Sequence, residues 1–254
     1  MEENEPFEGK YYHMAKEKRP DNNLLKTAAI IPAAGSGVRM GTDRAKQFLD
    51  LDGKPLLAVT LEKFQACPSI DIIILVVPSD DVEYCQREII ERYRLTKVKK
   101  VVAGGERRQD SVRLGIEATR GDYGLVLIHD GVRPFVESRL IERAVAATRK
   151  ERAVIAALPS KETVKEVDRN DLVIKTYDRQ QVWLVQTPQV FRYEDIMAAH
   201  QRALLEGWED ATDDSFLVEK MGIPVKVIRG SEDNIKVTTS YDLELGRSLL
   251  KKDI

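Results

Sequence analysis

Two basic residues follow a run of small residues near the start of the chain. Arg39 and Lys46 lie seven positions apart, and residues 32–37 before them read PAAGSG. Backbone without bulky side chains can approach a ligand closely, and its N–H groups can turn toward an anion. Arginine and lysine supply the charge that neutralises phosphate. The pattern predicts a polyphosphate site, and the alternative is an ordinary strand–loop connection with two surface cations.

Two standard phosphate-binding motifs do not fit this stretch. The dinucleotide fingerprint needs a third small residue where this chain has Met40. A P-loop needs four residues between its glycines, followed by Gly-Lys-Ser/Thr, and this spacing is absent. A nicotinamide oxidoreductase is therefore a weak hypothesis for this sequence.

Two further loops carry polar residues that could bind a ligand. One is rich in glycine and leads to Arg108, Asp110 and Ser111, and the other contains His129 and Asp130. Each loop, like the first, follows the carboxyl end of a predicted strand, and ligands bind at that edge of an open α/β sheet. The loops therefore predict one shared binding site, and the alternative is three unrelated loops.

The elements that must position these loops alternate between strand and helix. The predicted strands are residues 28–31, 70–77, 99–103, 124–128, 153–157 and 225–228. The predicted helices with both bounds are 55–65, 80–93, 193–205 and 241–250, with Asp80 or Asp81 as the cap of the second. Three further helices are predicted: one that follows Ser111, one that ends at residue 149, and a short one capped within 212–214. Short strand–helix spacing indicates parallel strands joined by crossover helices. The predicted fold is α/β, with a doubly wound, mostly parallel, Rossmann-like sheet.

A different pattern follows residue 159. Residues 163–167 and 172–176 are short β-type segments, and residues 168–171 form a turn between them. We predict a β-hairpin arm at about 159–182, inserted into a domain that spans 27–254. An arm that cannot bury its own apolar residues packs on a partner, so a homodimer is expected. The alternative is an arm folded back on its own domain.

Two residues beyond the arm could also contact a ligand. Thr187 precedes a proline and is therefore held extended, which would present its hydroxyl at a strand end. Lys236 lies just beyond the last predicted strand, in a segment that could equally be a plain surface loop.

The composition excludes several classes of function. The 254 residues carry 40 Lys and Arg against 42 Asp and Glu, so no nucleic-acid partner is expected. The three histidines are scattered, unlike a zinc site, and Cys67 and Cys85 are expected to be buried thiols in a reducing compartment. No apolar run is long enough to span a bilayer. Residues 1–26 lack the apolar core of a signal peptide. We expect a cytoplasmic protein with a flexible N-terminal extension over 1–26.

Taken together, the motifs resemble those of the 2-C-methyl-D-erythritol 4-phosphate cytidylyltransferases of the non-mevalonate isoprenoid pathway. The resemblance runs from about Thr27 to the C-terminus. It rests on Pro32-Ala33-Ala34-Gly35 with Gly37, Arg39 and Met40; Lys46-Gln47-Phe48; Gly104-Gly105 with Arg108, Asp110, Ser111 and Val112; His129-Asp130 with Arg133-Pro134; Asp178-Arg179 with Trp183; Thr187-Pro188-Gln189; Thr212-Asp213; and Asn234 through Thr238.

The related ribitol-5-phosphate cytidylyltransferases share much of this pattern. They usually open with Leu-Ala-Gly-Gly where this chain has residues 32–35, and they tend to carry Arg-Asn where it has Asp178 and Arg179. Both differences favour the erythritol phosphate. This chain departs from the erythritol family at Val38, where many members have a second basic residue, and at Gly131 and Val132, where alanines are common.

The resemblance implies a nucleotidyltransferase that joins a sugar-alcohol phosphate to CTP and releases pyrophosphate, with Mg²⁺ as cofactor. Within the class, the alternative substrate is ribitol 5-phosphate, and outside it the alternative is a CTP-binding module without turnover. The implied catalytic residues are Arg39, Lys46, Arg179 and Lys236; the implied binding residues are Ala33, Ala34, Gly35, Gly37, Gly105, Ser111, Asp130, Gly131, Thr163, Thr187 and Thr212, with Asp130 as the metal ligand. In this family Thr163 and Arg179 reach the neighbouring subunit's site.

Overall fold

The computed structural model describes residues 25–35, 45–209 and 211–251. The strands are β1 (Thr27–Pro32), β2 (Asp50–Leu51), β3 (Lys54–Pro55), β4 (Ile72–Val77), β5 (Val98–Ala103), β6 (Leu125–Ile128), β7 (Ala153–Pro159), β8 (Lys165–Val167), β9 (Val173–Thr176), β10 (Trp183–Arg192) and β11 (Val225–Arg229). The helices are α1 (Leu56–Ala66), α2 (Val82–Tyr84, continued by π-helical turns over Cys85–Glu91), α3 (Arg108–Glu117), α4 (Ser138–Thr148), α5 (Tyr193–Glu206), α6 (Asp214–Lys220) and α7 (Ser240–Leu250), with 3₁₀ turns at Lys46–Phe48 and Ser79–Asp81.

Seven strands form one mixed sheet in the order β11-β7-β10-β6-β1-β4-β5. The pairs β1–β4, β1–β6, β4–β5 and β7–β11 are parallel. Strand β10 runs antiparallel to both of its neighbours, β6 and β7. The predicted α/β fold with a mostly parallel sheet is confirmed, and β10 is the exception to the parallel direction.

The central strands are buried on both faces because helices cover both sides of the sheet. Every residue of β1 and of β4 is buried. Successive side chains of a strand point to opposite faces, so Ala29 and Ile31 join the core beneath α1 and α4, whereas Ala28 and Ile30 join the core beneath α3, α5 and α6. The unbroken apolar runs of these strands therefore follow from a sheet between two helical layers.

Backbone hydrogen bonds gather the loops at the carboxyl ends of the parallel strands. Ala33 N–H, after β1, donates to the carbonyl of Val76 on β4, and Gly104 N–H, after β5, donates to that of Val77. Gly131 N–H, after β6, donates to the carbonyl of Pro32 at the end of β1. The three loops that carry the chemistry predicted from sequence thus meet at one edge of the sheet.

The predicted hairpin is present. Strands β8 and β9 pair antiparallel, and Asp168 caps the turn between them by accepting the N–H groups of Asn170 and Leu172. Apolar side chains on and beside the hairpin are exposed, with Leu172 at 64% and Ile174 at 62%. In this chain the hairpin does not bury these side chains on its own domain.

Two local predictions were wrong. Asp81 does not cap α2 through its side chain, because it already has helical backbone angles within the 3₁₀ turn Ser79–Asp81. A capping side chain needs an extended residue before the first helical turn. Thr187 lies in the middle of β10 rather than at its end, at the irregularity in pairing between Val185 and Gln189.

Other local predictions were confirmed. Asp213 is the N-cap of α6 and accepts the N–H of Phe216, and both Cys67 and Cys85 are buried thiols. Of the segment 1–26, only Leu25 and Lys26 belong to the described residues, and Leu25 packs against the core. None of the helices within the described ranges is long and apolar enough to cross a bilayer.

Gly115 marks the closest approach of α3 to the sheet. A Cβ at this position would lie 2.5 Å from Cγ2 of Ile30 and 3.0 Å from Cγ2 of Val76. We therefore expect Gly115→Ala to lower the free energy of unfolding by about 1–3 kcal/mol, although alanine has the higher helix propensity. Denaturant unfolding measures this change, with Glu117→Ala on the same helix as a control that shifts stability by less than about 0.5 kcal/mol. A stabilising Gly115→Ala would contradict the close approach.

Candidate active site

Two clefts adjoin at the carboxyl edge of the parallel strands. The first is about 270 Å³ and is bordered by the loops after β1, β5 and β6. Its lining residues are Pro32, Ala33, Ala34, Gly35, Lys46, Gln47, Gly105, Glu106, Arg107, Arg108, Ser111, Asp130, Val132 and Lys236. The lining thus combines small residues with basic ones, which suits a flat ring joined to an anionic chain.

The second cleft is also about 270 Å³ and lies toward β10 and the start of α6. Its lining residues are Arg108, Asp130, Arg133, Val185, Gln186, Thr187, Gln189, Thr212, Asp213 and Lys236. Hydroxyls, amides and charged groups dominate this set, which suits a small polyhydroxylated anion. Arg108, Asp130 and Lys236 line both clefts and therefore mark the boundary where two ligands would meet.

Asp130 lies at the centre of this boundary, among three cations. Its Oδ2 is 2.9 Å from Nζ of Lys236 and 3.4 Å from Nε of Arg133, and its Oδ1 is 3.3 Å from Nε of Arg108. Burial alone would raise the pKa of this carboxyl, but Arg108, Lys236 and Arg133 hold the pKa well below its usual range. Asp130 is therefore ionised at every pH at which the protein would work.

Arg108 is held by a second carboxylate, on the opposite side from Asp130. Its Nη1 donates to Oδ2 of Asp214 at 2.7 Å. Burial acts to lower the pKa of Arg108, but Asp214 and Asp130 outweigh it and raise the pKa further. The pKa of Asp214, in contrast, is lowered: burial acts to raise it, but Arg108 and His200 outweigh that effect. Both groups are charged in the folded protein.

A buried hydrogen-bond chain fixes the backbone beneath Asp130. Nε2 of His129 lies 3.1 Å from the carbonyl of Arg133, which can only accept, so Nε2 carries the proton. Nδ1 then accepts from the hydroxyl of Thr187 at 3.0 Å, and that oxygen accepts the N–H of Asp130 at 3.1 Å. With a neutral imidazole, every donor in this hydrogen-bond chain has an acceptor. A second ring proton, on Nδ1, would remove the acceptor of the Thr187 hydroxyl.

His129 should make stability depend on pH. Burial lowers the pKa of His129 to about 4, whereas an unfolded histidine titrates near its ordinary value. Between these two pKa values the unfolded state binds the extra proton, so stability falls as pH falls through this window. The expected contribution is roughly 1.4 kcal/mol per pH unit.

Denaturant unfolding at several pH values from about 4.5 to 7 measures this slope. His129→Gln can donate and accept in the same chain but does not titrate, so its stability should vary less with pH than that of the native protein. Parallel curves for the two proteins would contradict the assignment of His129 as a neutral group.

The glycine-rich loop after β5 packs closely against the loop after β1 and against α3. A Cβ on Gly104 would lie 2.5 Å from Cβ of Ala34 and 2.7 Å from Oγ of Ser111. Ser111 holds the loop from within α3, because its hydroxyl accepts the N–H of Gly105 at 3.2 Å. These contacts fix the backbone at Gly105, which lines the first cleft.

The structure brings most of the residues predicted from sequence to the two clefts. Ala33, Ala34, Gly35, Lys46, Gly105, Ser111, Asp130 and Lys236 line the first cleft, and Asp130, Thr187, Thr212 and Lys236 line the second. Gly131 lies behind the first cleft, where its carbonyl accepts the hydroxyl of Thr60. Arg39 and Gly37 lie outside the described residues.

Thr163 and Arg179 are not brought to either cleft of their own chain. Both are exposed at the base of the hairpin, where Nη1 of Arg179 donates to the carbonyl of Lys161 at 3.4 Å. Their predicted roles in a neighbouring subunit's site remain a prediction.

Several residues at the boundary were not selected from the sequence. From the sequence, Asp214 is only a candidate for a helix cap. Gln189, Asn234, Arg108 and Arg133 appear there only as members of motifs. The side-chain Nδ2 of Asn234 donates to the backbone carbonyl of Thr187 at 2.8 Å. The backbone carbonyl of Asn234 accepts from Nη1 of Arg133, also at 2.8 Å. The first of these contacts ties the loop that carries Lys236 to β10. The sequence did contain an indication, because Arg108, Arg133 and Asn234 each lie within three positions of a residue that the sequence analysis selected.

The donor set at the boundary fits one kind of metal ion. The described residues contain no group of three or more His, Cys, Asp or Glu side chains that could hold a metal by themselves. Asp130 is a carboxylate, a hard oxygen ligand, that lines both clefts together with basic residues. Mg²⁺ keeps several waters and is commonly bound by one or two carboxylates together with substrate phosphates, so one aspartate is sufficient for it.

Comparison with known proteins identifies the family and agrees with this fold. The family model described as 2-C-methyl-D-erythritol 4-phosphate cytidylyltransferase matches residues 27–252. The protein of that name from Geobacter metallireducens is 44% identical over 229 residues, covering 89% of this chain and 98% of its own length. Its counterpart from Syntrophus aciditrophicus is 45% identical, covering 90% and 97%.

A solved structure is similar over the same region. The 4-diphosphocytidyl-2C-methyl-D-erythritol synthase from Anaerococcus prevotii superposes with a TM-score of 0.78 at 37% identity, covering 89% of this chain and 96% of its own. The sequence and structural similarities extend over nearly the full length of the relatives. This chain belongs to the 2-C-methyl-D-erythritol 4-phosphate cytidylyltransferase family.

Proposed function

We propose that this protein transfers the cytidylyl group of CTP to 2-C-methyl-D-erythritol 4-phosphate, with release of pyrophosphate, in isoprenoid precursor biosynthesis. The observation that carries the proposal is the pair of clefts that meet at Arg108, Asp130 and Lys236. A nucleotide in the first cleft and a sugar-alcohol phosphate in the second would bring the two reacting phosphate groups to this boundary.

The reaction needs no general base. The attacking group is a phosphate oxygen, whose second pKa of roughly 6 leaves it largely ionised at neutral pH. The structure has a histidine beside the site, but His129 is fully buried and hydrogen-bonded through both ring nitrogens. The difficulty is repulsion between anions, so catalysis depends on positioning and on stabilising charge.

The charge at the boundary suits that task. Three cations, Arg108, Arg133 and Lys236, surround two carboxylates, Asp130 and Asp214, which gives the cluster a formal charge of +1 from these five groups. An incoming phosphate can take over the contacts that Lys236 now makes with Asp130, because the lysine side chain is 40% exposed. Lys46, which also lines the first cleft, adds a further positive charge.

The remaining assignments follow the lining of each cleft. Ala33, Ala34, Gly35, Gly105 and Ser111 would border the cytosine and its ribose, and Gly37 and Gly131 are assigned to the same nucleotide. Arg39 and Lys46 would stabilise the α-phosphate and the leaving pyrophosphate. Thr187, Thr212 and Lys236 would hold the phosphate and hydroxyls of the second substrate.

Asp130 would hold the magnesium ion. When bound, such an ion neutralises phosphate charge and polarises the α-phosphorus toward attack. The protein's own contribution is the fixed carboxylate, which Arg108 and Arg133 orient from two sides.

We also propose a homodimer formed through the hairpin arm, over about 159–182. The exposed apolar side chains of β9 and of the first half of β10 support this proposal, since exposed apolar patches mark interaction sites. In such a dimer Thr163 and Arg179 would complete the partner's second cleft. Light scattering at the assay concentration tests it, and a monomeric mass would contradict it.

The decisive assay incubates the protein with CTP, Mg²⁺ and 2-C-methyl-D-erythritol 4-phosphate and follows pyrophosphate. Release that depends on all three supports the proposal. A parallel reaction with ribitol 5-phosphate, and a competition between the two, decides the second substrate. CTP binding without release would instead identify a binding module, and neither release nor CTP binding would overturn the nucleotide site.

A further inference from the structure

Asp214 is a buried carboxylate that neither cleft exposes. It is the first residue of α6, its side chain is 1% exposed, and its Oδ2 accepts from Nη1 of Arg108 at 2.7 Å. Its other oxygen lies 3.5 Å from Nε2 of His200, which is also buried. The residue therefore acts from behind the site rather than from within it.

Two nitrogens of the Arg108 guanidinium are each held by a different carboxylate. Nε faces Oδ1 of Asp130 at 3.3 Å, while Nη1 faces Asp214. The guanidinium is planar and rigid, so two carboxylates on different nitrogens determine the direction of the whole fork. Because Arg108 lines both clefts, the fixed direction is toward the place where the two phosphate groups would meet.

Stability alone does not account for a charge at position 214. Burying a carboxylate carries a desolvation cost that pairing only partly repays, and well-packed apolar groups often do as well or better. The neighbours of Asp214 along α6, Leu217 and Val218, are fully buried apolar residues. An apolar residue at 214 would suit that core but would leave Arg108 with a single anchor.

We propose that Asp214 is a positioning residue, which fixes the Arg108 guanidinium at the boundary between the clefts so that Arg108 stabilises charge on the phosphoryl group being transferred. This inference rests on the proposed cytidylyl transfer. Substrate attraction in the ground state needs only the positive charge of Arg108, whereas stabilisation of the transition state needs its direction as well.

The test separates these two contributions. Asp214→Asn keeps the shape and one acceptor but removes the charge that holds the guanidinium. The kcat for pyrophosphate release should fall by about 100-fold, the loss typical of a misplaced group. The Kd for CTP, measured by calorimetry without metal, should stay within about threefold or become tighter, since Arg108 keeps its charge and a carboxylate is lost. Equal loss of kcat and of CTP affinity would overturn the inference.

A double-mutant cycle asks whether Asp214 acts through Arg108. In an Arg108→Ala background, Asp214→Asn should change kcat by less than about threefold, because the group that it positions is gone. Effects that multiply would show that Asp214 acts independently and would overturn the proposal. Arg108→Lys keeps the charge but not the planar guanidinium, so it should show the same loss of kcat with CTP affinity retained. This variant replaces Asp214→Asn in the test if Asp214→Asn does not fold.

Asp195 provides the matched control. It is also buried near the start of a helix, α5, and it pairs with Arg152, remote from both clefts. Asp195→Asn should leave kcat unchanged, and thermal melting of both variants compares their stabilities. Absence of transfer by the native protein would refute the proposed function and this inference together, whereas a normal native rate with multiplicative effects in the cycle would refute this inference alone.

Discussion

Replacing Asp130 with asparagine is expected to slow cytidylyl transfer by about 100- to 1,000-fold, the range found when a group that stabilises transition-state charge is removed. Asparagine has the same shape but lacks the charge that holds Arg108, Arg133 and Lys236 around one point. It is also a much poorer ligand for Mg²⁺, which prefers anionic oxygens. The rate of pyrophosphate release at saturating substrates measures the effect.

CTP affinity distinguishes this effect from general damage to the site. Asp130→Asn raises the formal charge of the five-residue cluster from +1 to +2, so CTP should bind in the absence of metal at least as tightly as to the native protein. Asp71→Asn is the control, because Asp71 caps the start of β1 at the opposite edge of the sheet by accepting the N–H of Thr27. A rate within about threefold of native for Asp130→Asn would contradict a central role for this carboxylate.

The secondary structure of the central sheet could be predicted because its causes are local. The side chains of β1, β4 and β6 are apolar on both faces of the sheet, so both faces must be covered by helices to bury them. Glycine-rich and polar loops at their carboxyl ends then had to meet, since parallel strands end at the same edge. The direction of β10 was not predictable in this way, because an antiparallel strand in a mixed sheet follows from pairing with β6 and β7, which are distant in the chain.

The site shows the same division between local and distant causes. Two adjacent arginines begin α3, and their sequence context does not tell them apart. Arg107, the N-cap, pairs with Asp110 on its own helix at 2.8 Å and lines only the first cleft, whereas Arg108 pairs with Asp214 and lines both clefts. The partner that decides this, Asp214, lies 106 positions away, so the choice depends on how α6 packs against α3. For Asp214, the local sequence indicated only a place in a helix cap.

Lys236 and Asp130 were both identified from sequence, but the ion pair between them was not. Lys236 stands 2.9 Å from Asp130 because the backbone of its loop is held at three points: Val237 N–H donates to the carbonyl of Val132, and Asn234 exchanges contacts with Thr187 and Arg133. These contacts link the last loop of the chain to β10 and to the loop after β6. A surface turn, the alternative interpretation, would not need them.

Lys236→Met is therefore expected to lower kcat/KM by about 100- to 1,000-fold with little change in thermal stability. The lysine side chain is 40% exposed, and the buried Asp130 keeps its pairs with Arg108 and Arg133 when Lys236 is removed, so the loss should cost only about 1 kcal/mol of folding free energy. Its ammonium lines both clefts, so its loss should weaken charge stabilisation where the two substrates meet. Steady-state kinetics with each substrate varied in turn, together with thermal melting, separate the two effects.

Two further variants decide whether charge or shape is responsible. Lys236→Arg keeps the positive charge and should retain more of the rate than Lys236→Met, although a fork cannot reproduce the compact ammonium. Lys226→Met, on the exposed part of β11, removes a lysine that lines neither cleft and should leave the rate unchanged. If Lys236→Met and Lys226→Met were equally active, the ammonium beside Asp130 would have no part in transfer, and the meeting point of the two substrates would have to lie elsewhere.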